Sequence, residues 1–116
     1  MIRGRVGSGR GIAGARLAKI QELSAVLGYV PFPGTLNVRL VSSPDLRGRL
    51  QGGPHAFYPV EVSSRVRKVP AHIVRWQGDE RDRSVEIVAE VELRRDLQLT
   101  NGETVMIHFP RTEETV

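Results

Sequence analysis

Hydrophobic and polar residues alternate along several short segments of the chain, the pattern of β-strands with one buried face. The predicted strands cover residues 2–8, 35–40, 56–62, 69–76, 84–89 and 104–109. One longer segment has helical spacing instead, because apolar residues recur every three or four positions between Leu17 and Leu27. It predicts a helix over residues 14–27, closed by Gly28 in a left-handed conformation. Several short strands with one main helix predict a mostly β fold, a small six-stranded antiparallel barrel with the helix after the first strand.

A rigid turn precedes the second predicted strand. Pro31 and Pro33 restrict the backbone, and Gly34 frees it just before the strand begins. Along the strand, Thr35, Asn37 and Arg39 share one side, and the leucine and valine residues between them share the other. The polar side offers closely spaced oxygen atoms, as a site for a hard cation or a phosphate requires. The alternative is structural, since threonine favours strands and asparagine favours loop ends.

A glycine-rich segment lies between the first strand and the helix. Gly9, Gly11 and Gly14 satisfy the spacing G-x-G-x-x-G. A dinucleotide-binding fold is not predicted, because the chain lacks the further long helix of a parallel βαβ unit. Glycines let backbone N–H groups approach phosphates, so we expect phosphate contact here, with a merely tight turn as the alternative.

The remaining segments are predicted to be connections. They are a surface loop over residues 41–54, a polar turn over 77–83, a helical turn around Leu93 and Leu97, a tight turn at Asn101 and Gly102, and a loose tail over 111–116. Proline at positions 59 and 70 suggests strand edges or strand starts. We expect one domain over residues 1–110.

Composition limits the possible functions. The 116 residues, 40% of them hydrophobic, suit one domain with one core. The chain has no cysteine, which excludes disulfides and thiolate metal sites. No apolar run approaches the ~20 residues of a membrane span, and the start lacks a signal-peptide pattern, so we expect a cytoplasmic protein. The three histidines are far apart in sequence, which does not favour a histidine metal site.

The charge is basic, with 17 Lys and Arg residues against 13 acids and a net charge of +4. A polyanionic partner fits this balance, either a nucleotide triphosphate or nucleic acid, although an arginine bias of the source genome explains it equally well. Only 5% of the residues are aromatic, which does not favour binding of single-stranded nucleic acid by base stacking.

Taken in order, the motifs resemble those of the archaeal-type CTP-dependent riboflavin kinases. The segments that carry the resemblance are residues 4–11, 27–38, 58–60, 85–89, 93–94 and 97–105. The run Pro-Gly-Thr-Leu-Asn over residues 33–37 is the most specific of them. The resemblance implies a cradle-loop barrel that transfers the γ-phosphate of CTP to riboflavin, giving FMN and CDP.

The resemblance also implies roles for individual residues. Thr35 and Asn37 would bind Mg²⁺, and Glu86 would contact the flavin substrate. The residues implied to bind the nucleotide are Gly9, Arg10, Gly11, Ile12, Ala13, Gly14, Val91, Glu92, Leu93 and Arg94. The expected partners are CTP or CDP and riboflavin or FMN. Neither a membrane nor nucleic acid is expected as a partner, and the expected form is a monomer.

The chain departs from the family pattern at several positions. Ile12 and Ala13 replace a Glu-Gly pair, Glu90 replaces a proline, and Gly78 stands where the family has a flavin-contacting threonine. The departure at Gly78 leaves open a kinase of the same fold that acts on a different small hydroxyl compound. An alternative of another class is a non-catalytic barrel that binds nucleotides or DNA.

Overall fold

Short strands make up most of the regular structure. The computed structural model describes residues 1–8, 17, 23–76 and 83–110. Its strands are β1 (Ile2–Gly7), β2 (Leu36–Leu40), β3 (Leu50–Gly52), β4 (His55–Ser63), β5 (Lys68–Trp76), β6 (Ser84–Val88) and β7 (Thr104–His108). Its helices within these ranges are α1 (Leu23–Leu27) and α2 (Leu93–Asp96).

Six of these strands close into a barrel. Hydrogen-bonded neighbours follow the order β4-β5-β6-β2-β1-β7, and β7 pairs again with β4. Each of these pairings is antiparallel. Strand β3 pairs with β4 and lies outside this ring. The prediction of a mostly antiparallel six-stranded barrel is confirmed.

Apolar side chains that point inward from the strands fill the barrel interior. On β2, Leu36, Val38 and Leu40 are buried, whereas Asn37 is half-buried and Arg39 is exposed. Branched side chains from the other strands complete the interior; among them are Val60, Val62, Ile73, Val85, Ile87, Val105 and Ile107. The interior is therefore apolar, and the outward face of β2 is available for polar chemistry.

A second apolar cluster lies on the outside of the barrel, where helical residues cover the sheet. Phe57 and Val74 face each other on β4 and β5, and Leu23 and Leu27 of α1 pack in the same cluster. The helix ends at Gly28, whose φ is +86° and whose N–H donates to the carbonyl of Ser24 at 2.8 Å. The predicted left-handed glycine end is confirmed, since glycine has no Cβ to oppose a positive φ. Residues 14–16 and 18–22 of the predicted helix lie outside the described residues.

The predicted loop over residues 41–54 contains one strand that the sequence analysis missed. Strand β3 has only three residues and no alternating pattern, so it gives no local signal. It forms because Gly53, with φ of +59°, turns the chain back onto β4. Positive φ at the first central residue is what a tight hairpin turn requires.

Both strand prolines lie where a missing N–H breaks little pairing. Pro59 lies between the segment of β4 that pairs with β3 and the segment that pairs with β7. Pro70 precedes the part of β5 that pairs with β6, which begins at His72. Their positions agree with the expectation that these prolines mark edges. Within the described ranges, none of the helices has the length and apolar character needed to cross a membrane.

Candidate active site

Three neighbouring strands bring together the polar side chains that the sequence singled out. Asn37 on β2 lies directly opposite Glu86 on β6 and, on its other side, opposite Gly7 on β1. Directly opposite residues on one face have their Cβ atoms ~5 Å apart. Asn37 and Glu86 therefore share the outward face of the barrel, although 49 positions separate them in sequence.

Thr35 joins this pair from the segment just before β2. Its hydroxyl Oγ1 donates a hydrogen bond to Glu86 Oε1 at 3.1 Å. Both side chains lie in half-buried residues, so the contact is only partly exposed to water. Thr35, Asn37 and Glu86 form one group of oxygen-bearing side chains, which we call the oxygen cluster. The sequence indicated that Thr35 and Asn37 share a face, but it gave no sign that Glu86 contacts Thr35.

The oxygen cluster borders a cavity of about 190 Å³. The cavity is formed by the turn before β2, the end of β6 and the segment that leads into α2. Its lining residues are Phe32, Gly34, Thr35, Leu36, Ile87, Ala89, Val91, Glu92, Leu93 and Arg94. Thr35 belongs to both the cavity and the oxygen cluster, so a ligand in the cavity can reach the cluster. The structure thus brings residues 91–94 next to Thr35, as the nucleotide-binding prediction needs.

Phe32 is a lining residue that the sequence analysis did not single out. Its backbone N–H donates to the carbonyl of Ala89 at 2.8 Å, which ties the proline-rich turn to the end of β6. Its side chain lines the cavity, and the residue remains 37% exposed. The available signal in the sequence was an aromatic residue between two prolines, which restrict the backbone on either side of it.

Arg94 connects the cavity to the end of β1. Its Nη2 donates to the carbonyl of Gly7 at 2.8 Å and to Asn101 Oδ1 at 2.7 Å. A guanidinium has five N–H donors, so these two bonds orient the group and leave capacity for a ligand. Gly7 is the last residue of β1 and lies just before the predicted phosphate loop.

The loop itself, with Gly9, Arg10, Gly11, Ile12, Ala13 and Gly14, lies outside the described residues. So do residues 77–82, including Gly78, and the predicted tail over 111–116.

A tyrosine–histidine pair holds the chain between α1 and the proline-rich turn. Tyr29 Oη lies 2.8 Å from His72 Nδ1 and 3.2 Å from the carbonyl of Val88. Burial lowers the pKa of His72 and raises the pKa of Tyr29, and the charge of Glu90 raises the latter further. Burial acts this way because it disfavours the charged form of each ring. The neutral pair therefore anchors the segment that leads to the cavity.

The histidines do not meet one another. His72 contacts Tyr29, His108 Nε2 lies 2.9 Å from Ser63 Oγ, and the ring of His55 packs against Phe57. Among the described residues, no group of three or more His, Cys, Asp or Glu side chains could hold a metal ion.

The oxygen cluster has a different composition, with one hydroxyl, one amide and one carboxylate. Hard divalent cations such as Mg²⁺ prefer oxygen ligands of this kind and keep waters and substrate phosphates as further ligands. The donor set therefore fits a hard divalent cation that keeps further ligands of its own.

The sequence model of a known family, CTP-dep_RFKase, described as "Domain of unknown function DUF120", matches residues 6–109. The chain belongs to this family. The match includes every described residue of the cavity and of the oxygen cluster.

Curated relatives in the family are named riboflavin kinase. The relative from Aeropyrum pernix is 34% identical over 108 residues, 73% of this chain and 76% of that protein. The relative from Methanopyrus kandleri is 36% identical over 100 residues, 75% of this chain and 65% of that protein. The one from Haloquadratum walsbyi is 31% identical over 106 residues, 75% of this chain and 45% of that protein. By these names the family is one of phosphotransferases, and some of its members are considerably longer than the matched region.

Proposed function

We propose that the chain is a CTP- and Mg²⁺-dependent kinase that transfers the γ-phosphate of CTP to riboflavin, giving FMN and CDP. The observation that carries this proposal is the oxygen cluster at the edge of the cavity, in a chain of this family. In this proposal the cavity would hold the nucleoside, and the cluster would hold a cation at its phosphates. The relatives' names supply the acceptor, riboflavin.

The proposal assigns the nucleoside to the cavity. The cavity is lined by apolar side chains, together with the polar groups of Thr35, Glu92 and Arg94. Pockets of this composition suit a ring that must also be oriented by a few polar contacts. The phosphates would then extend past Thr35 towards Gly7, where Arg94 is held by two hydrogen bonds. Residues 9–14 would continue the contact with the phosphates.

Thr35 and Asn37 would hold Mg²⁺, with the Glu86 carboxylate beside them. When bound, Mg²⁺ neutralises charge on the phosphate oxygens. Glu86 accepts the hydrogen bond of Thr35, which orients the threonine oxygen. With the phosphates placed in this way, the carboxylate would lie beside the reacting phosphate, where it would accept a hydrogen bond from a substrate hydroxyl.

The reaction requires alignment more than covalent participation of the protein. The riboflavin hydroxyl oxygen forms a bond to the γ-phosphorus, the bond to the bridging oxygen breaks, and CDP leaves with its electron pair. The hydroxyl proton is released to water. Because the transition state is loose, with its charge on the phosphoryl oxygens, positioning and electrostatic stabilisation provide the rate.

The test is FMN formation by the purified chain with riboflavin, Mg²⁺ and either CTP or ATP, followed by chromatography with fluorescence detection. We expect FMN with CTP and much less with ATP. Thr35→Val and Asn37→Leu keep approximate shape but remove an oxygen, and each should raise the Mg²⁺ concentration needed for half-maximal rate by at least roughly tenfold.

Thr104→Val is the matched control, because it removes the hydroxyl of an exposed strand threonine on β7. It should leave the Mg²⁺ requirement unchanged. Absence of FMN with every nucleoside triphosphate would refute the riboflavin assignment, and equal effects of the three variants would refute the metal role.

A second acceptor is favoured by one observation, the glycine at position 78 where the family has a threonine that contacts flavin. In that case the same nucleotide chemistry would act on another small hydroxyl compound. CTP consumption that depends on such a compound, and not on riboflavin, would distinguish this case.

A further inference from the structure

Two arginines face each other on the outside of the barrel. Arg5 on β1 lies directly opposite Arg39 on β2, and both residues are exposed. Like charges in directly opposite positions destabilise a sheet. Neither guanidinium forms an ion pair with an acid in the part of the chain that the structure describes; Arg39 Nη1 donates instead to the neutral Ser84 Oγ at 3.1 Å. Among the residues that the structure describes, the pair therefore concentrates positive charge without a carboxylate in ion-pair contact.

The two arginines lie next to the oxygen cluster, one step further along β1 and β2. Arg39 follows Asn37 by two residues on the same face of β2, a distance of ~7 Å along the strand. Gly7 lies opposite Asn37 and follows Arg5 by two residues on β1. A Cβ added at Gly7 would meet none of the described atoms within 4 Å, so the described part of the chain leaves the space beside Asn37 open. Both guanidinium groups are long enough to reach this open space.

The cavity, the oxygen cluster and the arginine pair follow one another along β2. Gly34, Thr35 and Leu36 line the cavity, Asn37 follows in the oxygen cluster, and Arg39 comes last. The arginine pair thus lies beyond Asn37, on the side away from the cavity. With the nucleoside in the cavity and its phosphates extending past Thr35, the acceptor and the transferred phosphoryl group would lie on this far side.

We propose that Arg5 and Arg39 form a phosphomonoester-binding site that holds the phosphoryl group on the acceptor side once it has been transferred. This inference rests on the proposed function for the identity of the acceptor. Guanidinium groups match phosphate oxygens with paired N–H donors, and two of them suit a dianionic phosphomonoester. A bound phosphomonoester would also relieve the repulsion between the facing arginines.

The experiment compares two ligands that differ by one phosphate group, riboflavin and FMN. Their dissociation constants are measured by flavin fluorescence for the unchanged chain, Arg5→Gln, Arg39→Gln and the double variant. Each single variant should weaken FMN binding roughly tenfold to a hundredfold, the range of hydrogen bonds to charged groups. Riboflavin binding should change less than about twofold, since riboflavin lacks the group that the arginines contact.

Arg49→Gln is the matched control. Arg49 is also exposed, and its Nη2 donates to a neutral partner, Gln51 Oε1 at 2.9 Å, rather than to an acid. This variant should leave the dissociation constants of both riboflavin and FMN unchanged. The Arg5 and Arg39 variants should fold, because each removes one of two repelling charges. Equal loss of riboflavin and FMN binding, unchanged FMN binding, or an equal effect of Arg49→Gln would overturn the proposal.

A second readout separates failure of this site from failure of the proposed function. Inorganic phosphate should raise the melting temperature of the unchanged chain, and the double variant should lose this shift. One outcome is that the unchanged chain binds neither flavin and still shows a phosphate-induced rise in melting temperature that the double variant loses. In that case riboflavin is the wrong acceptor, and the phosphate site of Arg5 and Arg39 is supported. If the double variant keeps the whole phosphate shift, the site is refuted whichever acceptor is correct.

Discussion

Gly4 provides a direct test of how tightly the barrel interior is packed. The residue lies on β1, opposite Leu40, and is buried. A Cβ at this position would overlap Val38 Cγ1 and would lie 3.0 Å from the carbonyl oxygen of Arg39 and 3.1 Å from Leu40 Cδ2. The carbonyl belongs to the paired backbone of β2, so it cannot move away cheaply. We therefore expect Gly4→Ala to be destabilised by overpacking.

Gly7 on the same strand is the control, because its added Cβ would meet no atom of the described residues within 4 Å. Both substitutions reduce the conformational entropy of the unfolded chain by a similar amount, so the difference between them isolates the packing term. Overpacking typically costs about 1–3 kcal/mol, which makes Gly4→Ala less stable than Gly7→Ala by that amount. For a chain of this size the difference corresponds to ~4–12 °C in melting temperature.

The assay is thermal and urea unfolding of both variants, followed by circular dichroism. Gly7→Ala should melt at or slightly above the temperature of the unchanged chain. A difference of less than ~2 °C between the two variants would refute the reasoning, because it would mean that β1 and β2 separate easily enough to admit a methyl group.

Other positions give further predictions. Phe57→Ala should reduce the free energy of unfolding by ~3–5 kcal/mol in urea, because the side chain is fully buried beneath α1; a loss below ~1 kcal/mol would contradict this packing. Burial lowers the pKa of His72 from 6.5, so the unfolded chain binds the proton more tightly and stability should fall as pH drops below 6.5. His72→Gln should flatten that part of a melting-temperature profile against pH. Arg94→Lys should weaken CDP binding roughly tenfold in calorimetry, since one ammonium cannot keep the contacts with both Gly7 and Asn101; unchanged affinity would remove Arg94 from the nucleotide site.

The sequence alone determined the elements whose signals are local. Alternation of period two predicted three of the barrel strands, over residues 2–8, 35–40 and 84–89, and it placed Thr35, Asn37 and Arg39 on one side of the second. The glycine after the helix predicted its end, because a positive φ is a property of one residue. The motifs over residues 33–37 likewise led to the family that the comparison confirms.

Tertiary structure decided which of these faces meet. Strand register is set by pairings between distant segments, and a slip of one residue would turn every side chain to the opposite face. No local pattern could place Glu86 against Asn37, or Arg5 against Arg39, since 49 and 34 positions separate them. Strand β3 also carries no alternating pattern of its own, and its three residues form a strand because the turn at Gly53 brings them onto β4. The sequence therefore pointed to single residues such as Thr35, Asn37 and Glu86, whereas their assembly into an oxygen cluster beside an arginine pair follows from closure of the barrel.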